Sequence, residues 1–174
     1  SDFNYGCLPQ KLVDRIQKYC DEQNVIVVAD SQCSSQIGDV SRFKNTTILT
    51  PTEREARLSV RDFNSGLVVL AESLRKESNG KHILMTLGKE GVLIHANDRD
   101  NDTWLTDRLP TFNTSPKDVA GAGDSLLICT AMSLALGNNI WHSSYMGSLA
   151  AACQVGRLGN IPLQPQQLLD EIEL

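Results

Sequence analysis

The residues with most chemical capacity are Asp118-Val119-Ala120-Gly121-Ala122-Gly123-Asp124-Ser125, which stand immediately before an apolar stretch of helical period. Two glycines let the backbone turn so that successive N–H groups point outward at a helix N-terminus, where the helix dipole also favours negative charge. Such a turn is an anion hole, suited to a transferring phosphoryl group whose charge develops on oxygens that need fixed donors. Asp124 falls in the first helical turn, where a carboxylate can accept a hydroxyl proton as that oxygen attacks phosphorus. The same eight residues also make a plain glycine-rich helix cap, with the aspartate stabilising the first turn.

The surrounding elements alternate helix and strand, the pattern of an α/β domain. After Pro9, the spacing of Leu12, Val13, Ile16, Tyr19 and Cys20 predicts an amphipathic helix, and Val25-Ile26-Val27-Val28-Ala29 predicts a buried strand ending at Asp30. A second strand, Thr47-Ile48-Leu49, runs into Thr50-Pro51, and Thr52-Glu53-Arg54-Glu55 has the form of an N-cap with an acidic first turn. Leu67, Val68, Leu70, Ala71 and Leu74 suit a helix stopped at Asn79-Gly80. His82-Ile83-Leu84-Met85 follows as a strand, and Thr86-Leu87-Gly88-Lys89-Glu90-Gly91 makes a glycine-bounded turn, closer to a hairpin than to a crossover, into Val92-Leu93-Ile94-His95. Asn97 to Asp102 reads as a solvated polar loop. Beyond Gly121, the positions Leu126, Leu127, Thr130, Ala131, Leu134 and Ala135 form one apolar helix face, stopped at Gly137-Asn138-Asn139. A helix rich in small residues over about 140–155 and a short one over 164–172 complete the chain.

Sixteen basic against 21 acidic residues give a net charge of −5, with no electrostatic footprint for nucleic acid or an anionic membrane. No apolar run approaches the roughly 20 residues that span a bilayer, and the polar start lacks the regions of a signal peptide, so the expected location is the cytoplasm. Cys7, Cys20, Cys33, Cys129 and Cys153 are widely spaced with no C-x-x-C pair, which predicts reduced, mostly buried thiols rather than a zinc site or disulfide framework. His82, His95 and His142 lack metal-ligand spacing. No Walker loop, H-R-D or D-F-G set is present, which sets aside the P-loop and protein-kinase mechanisms.

Four segments in order resemble the PfkB, or ribokinase-like, family of ATP-dependent sugar and nucleoside kinases. Asp118, Gly121, Ala122, Gly123 and Asp124 match its Asp-x-x-Gly-Ala-Gly-Asp turn. Thr50-Pro51-Thr52-Glu53-Arg54-Glu55 is similar to a strand ending in Thr-Pro before Asn-x-x-Glu, and Thr86, Leu87, Gly88 and Gly91 match a Thr-Leu-Gly-x-x-Gly turn. Leu149 to Gly159 looks like the family's small-residue helix near adenine. The opening Ser1-Asp2-Phe3-Asn4-Tyr5-Gly6 resembles a mid-sequence segment of heptose-phosphate kinases.

The resemblance implies a three-layer α/β sandwich, a central Rossmann-like sheet with helices on both faces, of which residues 1–174 form a single partial domain, the nucleotide-binding C-terminal half. It implies ATP and Mg²⁺, with K⁺ as a further candidate. The implied activity is transfer of the γ-phosphate to a hydroxyl of a sugar or sugar phosphate, with heptose 7-phosphate favoured. Asp124 takes the role of base, and the backbone of Gly121, Ala122 and Gly123 that of the anion hole. Glu55 would organise Mg²⁺ through water. Thr86, Gly88 and Gly91 would lie by the phosphates or ribose, Ser148 would flank adenine, and Asp118 would help hold a monovalent cation. The expected partners are the nucleotide, the sugar substrate, the N-terminal half that supplies the sugar pocket and leading strands, and other copies of the chain through an exposed sheet edge. Two positions depart from the pattern: Thr52 stands for the asparagine of Asn-x-x-Glu, and Asp30-Ser31-Gln32 stands where heptose-phosphate kinases have Asp-Pro-Lys. These leave open a non-catalytic nucleotide-binding remnant and a PfkB kinase for a nucleoside or fructose phosphate.

Overall fold

The structure, a computed structural model, describes residues 1–32, 38–97 and 104–172. The chain is organised as two compact units, residues 1–87 with 93–107 and residues 88–92 with 108–174. The element order is α1 (Gln10–Glu22), β1 (Val28–Ala29), β2 (Ile48–Leu49), α2 (Glu53–Val60), α3 (Leu67–Ser78), β3 (His82–Thr86), β4 (Val92–Asn97), β5 (Trp104–Leu109), α4 (Ala122–Ala135), α5 (Ile140–Val155) and α6 (Pro165–Ile172).

The strands form one sheet in the order β1-β2-β3-β4-β5, with β1 parallel to β2 and β2 parallel to β3. Strand residues alternate faces, so Ala29, Leu49, Ile83, Met85 and Leu93 share one core with Val13 of α1, Ala56 of α2 and Leu70, Ala71 and Leu74 of α3. Ile48, Leu84 and Ile94 alternate with these and are equally buried. Burial on both faces explains why these strands read as continuous apolar runs. Each fully buried Leu or Ile contributes roughly 1.5–3 kcal/mol relative to exposure.

Local sequence sets the helix ends. Thr52 caps α2 and Glu55 returns the bond, while α3 stops where Asn79 takes a left-handed φ of 51°. In the second unit, α4 gives way at Gly137 (φ 88°), and α5 restarts at Asn139, whose side chain accepts from the His142 amide at 2.9 Å. Small residues let α4 and α5 approach closely. A Cβ on Gly147 would stand 2.1 Å from Thr130 Oγ1 and 2.7 Å from the Leu126 carbonyl oxygen. Among the described residues, no helix is long and apolar enough to cross a membrane.

Several expectations change. The strand expected over Val25 to Ala29 is reduced to Val28–Ala29, with Val25 and Ile26 exposed, because β1 pairs only as far as the short β2 reaches. The apolar stripe of α1 turns outward: Leu12, Ile16 and Tyr19 are exposed, whereas Val13 and Gln17 are buried. Val68 and Ala135 also lie outside the core, in contrast to Leu70, Leu74, Leu126 and Ala131. Cys7 is exposed, and Cys20, Cys129 and Cys153 are half-buried free thiols rather than core residues, because each lies off the fully buried face of its segment. Cys33 and the polar loop after Asn97 lie outside the described residues.

Strand β5, for which the sequence carries no apolar signal, supplies Trp104 and Thr106 to a polar cluster. His95 on β4, 3% exposed, makes Nε2···Glu72 Oε2 at 2.9 Å and Nδ1···Thr106 Oγ1 at 2.7 Å. Since a carboxylate only accepts, Nε2 donates to Glu72, and Nδ1 shares the second hydrogen bond with the Thr106 hydroxyl. The Arg75 guanidinium bonds Glu72 at 2.6 and 2.9 Å and lies 3.8 Å over the Trp104 ring. These donors, Arg75 first and then His95 and Lys76, hold the Glu72 carboxyl down to about 2 against the opposing effect of burial. A folded value below the unfolded 4.5 means that this contribution is present above pH 4.5 and is lost as pH falls toward 2. Denaturant unfolding of wild type and Glu72→Gln should therefore show a stability difference that shrinks by about 1–3 kcal/mol between pH 5 and pH 2. A pH-independent difference would assign Glu72 no ionic role.

Candidate active site

Of the residues singled out from the sequence, Glu55 and Thr86 lie in the first unit and share one hydrogen-bonded edge. Thr52 N and Oγ1 donate to Glu55 Oε2 at 2.7 and 2.8 Å, and the Glu55 amide donates to Thr52 Oγ1 at 3.2 Å. Thr52 forms a parallel bridge to Thr86, whose amide donates to the Pro51 carbonyl at 2.8 Å. The capping box thus draws Glu55 to the C-terminal end of β3, with its side chain buried. In open parallel sheets, ligand sites gather at the C-terminal ends of the strands. Thr50, at that end of β2, is also buried, and its hydroxyl has no hydrogen-bond partner among the described residues.

The other predicted residues lie in the second unit. Gly88 (φ 60°) and Gly91 (φ 91°) bound the turn before β4. A Cβ at Gly91 would fall 2.0 Å from the Leu109 carbonyl oxygen, whereas one at Gly88 would meet nothing within 4 Å. Gly91 is therefore a packing necessity and Gly88 an open position. Ser148 is buried on α5, its hydroxyl again without a partner among the described residues.

The turn before α4 is braced from several directions. Asp118 Oδ1 accepts from the Ala120 amide and Oδ2 from the Gly159 amide, each at 3.0 Å. These two bonds, Ala120 first, hold its carboxyl below the usual aspartate range. Gln154, 2% exposed, donates to the Ala120 carbonyl at 3.2 Å and accepts from Arg157. Gly121 caps α4 with φ 78°, and a Cβ there would stand 2.1 Å from Asn160 Oδ1. Only glycine fits this position. Neither Gln154 nor Asn160 stands out in the sequence, where Gln154 is only a lone amide at the end of a small-residue run.

Within that frame the first turn of α4 is open. No side chain caps it, and the amides of Gly123 and Asp124 have no partner among the described residues. A Cβ on Gly123 would meet no atom within 4 Å. Asp124 lies in this turn, half-buried, its carboxylate in no hydrogen bond or ion pair with a described residue. Two outward amides, the positive end of the helix and a carboxylate that can take a proton thus occupy one turn.

Taken separately, the second unit's residues fit the phosphates and base of a nucleotide, and the first unit's Glu55 edge fits a hydrated cation. The open space at Gly123 and Gly88 admits backbone approach by an anion, and the partnerless hydroxyl of Ser148 can receive a polar ligand atom. The donors by Glu55 are oxygens, as a hard cation requires. Among the described residues no group of three or more His, Cys, Asp or Glu converges, so a cation here would keep most of its waters, as Mg²⁺ does.

The pattern of the pfkB family carbohydrate kinases matches residues 3–167. The bifunctional protein HldE of Campylobacter concisus (strain 13826) is 30% identical over 167 residues, covering 92% of this chain and 32% of that protein. HldE of Geotalea uraniireducens (strain Rf4) is 29% identical over 99% of this chain and 34% of that one. The chain therefore spans about a third of the length of these curated relatives. Among solved structures, the ribokinase of Thermotoga maritima superimposes with a TM-score of 0.71 at 26% identity, covering 90% of this chain and 52% of that one. Arabidopsis thaliana ribokinase, complexed with ribose and ATP, gives 0.77 at 18% identity over 95% and 53%. Escherichia coli phosphofructokinase-2, in complex with potassium, gives 0.75 at 15% identity over 93% and 51%. The fold is accordingly the ribokinase-like α/β fold, and the chain belongs to the pfkB family of carbohydrate kinases.

Proposed function

We propose that residues 1–174 form one partial domain, the nucleotide-binding C-terminal half of a kinase that moves the γ-phosphate of ATP to a hydroxyl of a sugar or sugar phosphate. The observation that carries this reading is the open first turn of α4, where two partnerless amides and the carboxylate of Asp124 stand together. The amides of Gly123 and Asp124 hold phosphate oxygens and stabilise the charge that develops on them. Asp124 accepts the proton of the attacking hydroxyl. Glu55 fixes water around Mg²⁺, Thr86, Gly88 and Gly91 border the phosphates, and Ser148 flanks the base. Asp118, braced by two amides, has lone pairs left for a monovalent cation such as K⁺. When bound, MgATP supplies the phosphoryl group, and Mg²⁺ offsets the charge on its oxygens.

The sugar pocket belongs in this reading to an N-terminal half. Its support is the length of the relatives and the apolar surface left open by Leu12, Ile16 and Tyr19 on α1 and by Val25 and Ile26 beside edge strand β1. The same surface would drive self-association of this half alone. The reaction belongs in the cytoplasm, where ATP is available. The resemblance of Ser1 to Gly6 to a segment of heptose-phosphate kinases favours a heptose phosphate as acceptor.

Steady-state ADP release from MgATP, measured on the full protein with heptose 7-phosphate, fructose 6-phosphate, ribose and adenosine in turn, tests the proposal. Acceptor-dependent release, fastest with heptose 7-phosphate, is expected. Thr52 and the lysine-free Asp30-Ser31-Gln32 favour a second reading, a nucleotide-binding remnant, which would bind ATP and release no ADP with any acceptor. Absence of ATP binding would overturn both.

A further inference from the structure

The carboxylate of Glu55 is held by a threonine in a way that exceeds what a helix cap needs. A capping box consists of two links, from the Glu55 amide to Thr52 Oγ1 and from the Thr52 amide to Glu55 Oε2. Here a third is present, since Thr52 Oγ1 also donates to Oε2 at 2.8 Å, so one carboxylate oxygen receives both the amide and the hydroxyl of the same residue. Thr52 is itself fixed from outside α2 by its bridge to Thr86. Glu55 is 8% exposed, so the direction of its carboxylate is set by protein donors rather than by bulk water.

We propose that Thr52 is a positioning residue for Glu55, its hydroxyl setting the orientation in which the carboxylate meets the water shell of a divalent cation. The inference rests on the reading of Glu55 as the group that organises Mg²⁺. An asparagine, which the resembled segment carries at this position, would reach one atom further toward a ligand. The shorter threonine turns back onto Glu55, so the departure from the pattern changes the means of holding the site. A simple cap would be served nearly as well by glycine, which has no donor; a positioning hydroxyl would not.

The test is an Mg²⁺ titration of the full protein at fixed concentration of the β,γ-imido analogue of ATP, read by calorimetry, with a circular dichroism melt of each variant. Thr52→Gly and Thr52→Val should both raise the Mg²⁺ concentration at half-effect about 10-fold, as loss of an outer hydrogen-bonding partner does at metal sites. Affinity for the analogue without metal should be unchanged, and Thr52→Ser should return the midpoint to within about 2-fold of wild type. Glu55→Gln separates the two readings. If it raises the midpoint while Thr52→Gly and Thr52→Val only lower the melting temperature, Thr52 is a cap alone and the proposal is overturned. If Glu55→Gln leaves the midpoint in place, the magnesium role of Glu55 fails and the positioning role fails with it.

Discussion

Asp124→Asn is expected to lower the turnover of the full protein by at least about two orders of magnitude, because general-base assistance is typically worth about 10²–10⁴ in rate. The substitution preserves the size of the side chain and removes its capacity to take a proton. The fold should accept it: the carboxylate makes no hydrogen bond or ion pair with a described residue, and α4 is capped by Gly121 rather than by this side chain. What is lost structurally is one favourable charge at a helix N-terminus, about 0.3–1 kcal/mol. The Michaelis constant for ATP should move little, since the amides proposed to hold the phosphates remain. ADP release by wild type and variant at saturating Mg²⁺ and acceptor gives the comparison. A variant that keeps more than about a tenth of wild-type turnover would remove Asp124 from the role of base.

The parts of this molecule that the sequence discloses are those decided within a few residues. Gly121, Gly137 and Asn139 bound α4 and α5 through local backbone conformation, and the Thr52-x-x-Glu55 spacing announces its capping box, because each signal and its consequence lie in the same turn. The length of β1 is not legible locally, because it depends on how far β2 runs beside it, and a strand without a partner is an extended segment. Strand β5 leaves no signal in the sequence because its alternation is half polar, Trp104, Thr106 and Arg108 against Leu105, Asp107 and Leu109, with no apolar run to mark it. The site divides in the same way. The Gly121 to Asp124 turn is legible, whereas its brace is not: Gly159 reaches Asp118 from 41 residues away, and nothing in either neighbourhood announces the pairing. Glu72 and His95 likewise meet only through the packing of α3 against the sheet.

The two glycines of the α4 turn have different tasks, and the difference isolates the central claim, that this turn holds nucleotide phosphates. Gly121 is required by the fold itself, since its φ of 78° and the nearby Asn160 leave no place for a Cβ. A substitution there would damage the turn whether or not a ligand binds. Gly123 faces open space: a Cβ there would meet nothing within 4 Å outside its own helix turn, and valine suits a helix better than glycine does. Its methyl groups instead occupy the volume through which an anion would approach the amides of Gly123 and Asp124. Hydrogen bonds to a charged group are worth about 1.5–3 kcal/mol, so Gly123→Val should weaken MgATP roughly 10–100-fold with the melting temperature at or above that of wild type. Isothermal titration of MgATP into wild type and Gly123→Val decides the matter. The account predicts that loss of affinity in a fully folded variant, and an affinity within about 2-fold of wild type would place the phosphates elsewhere.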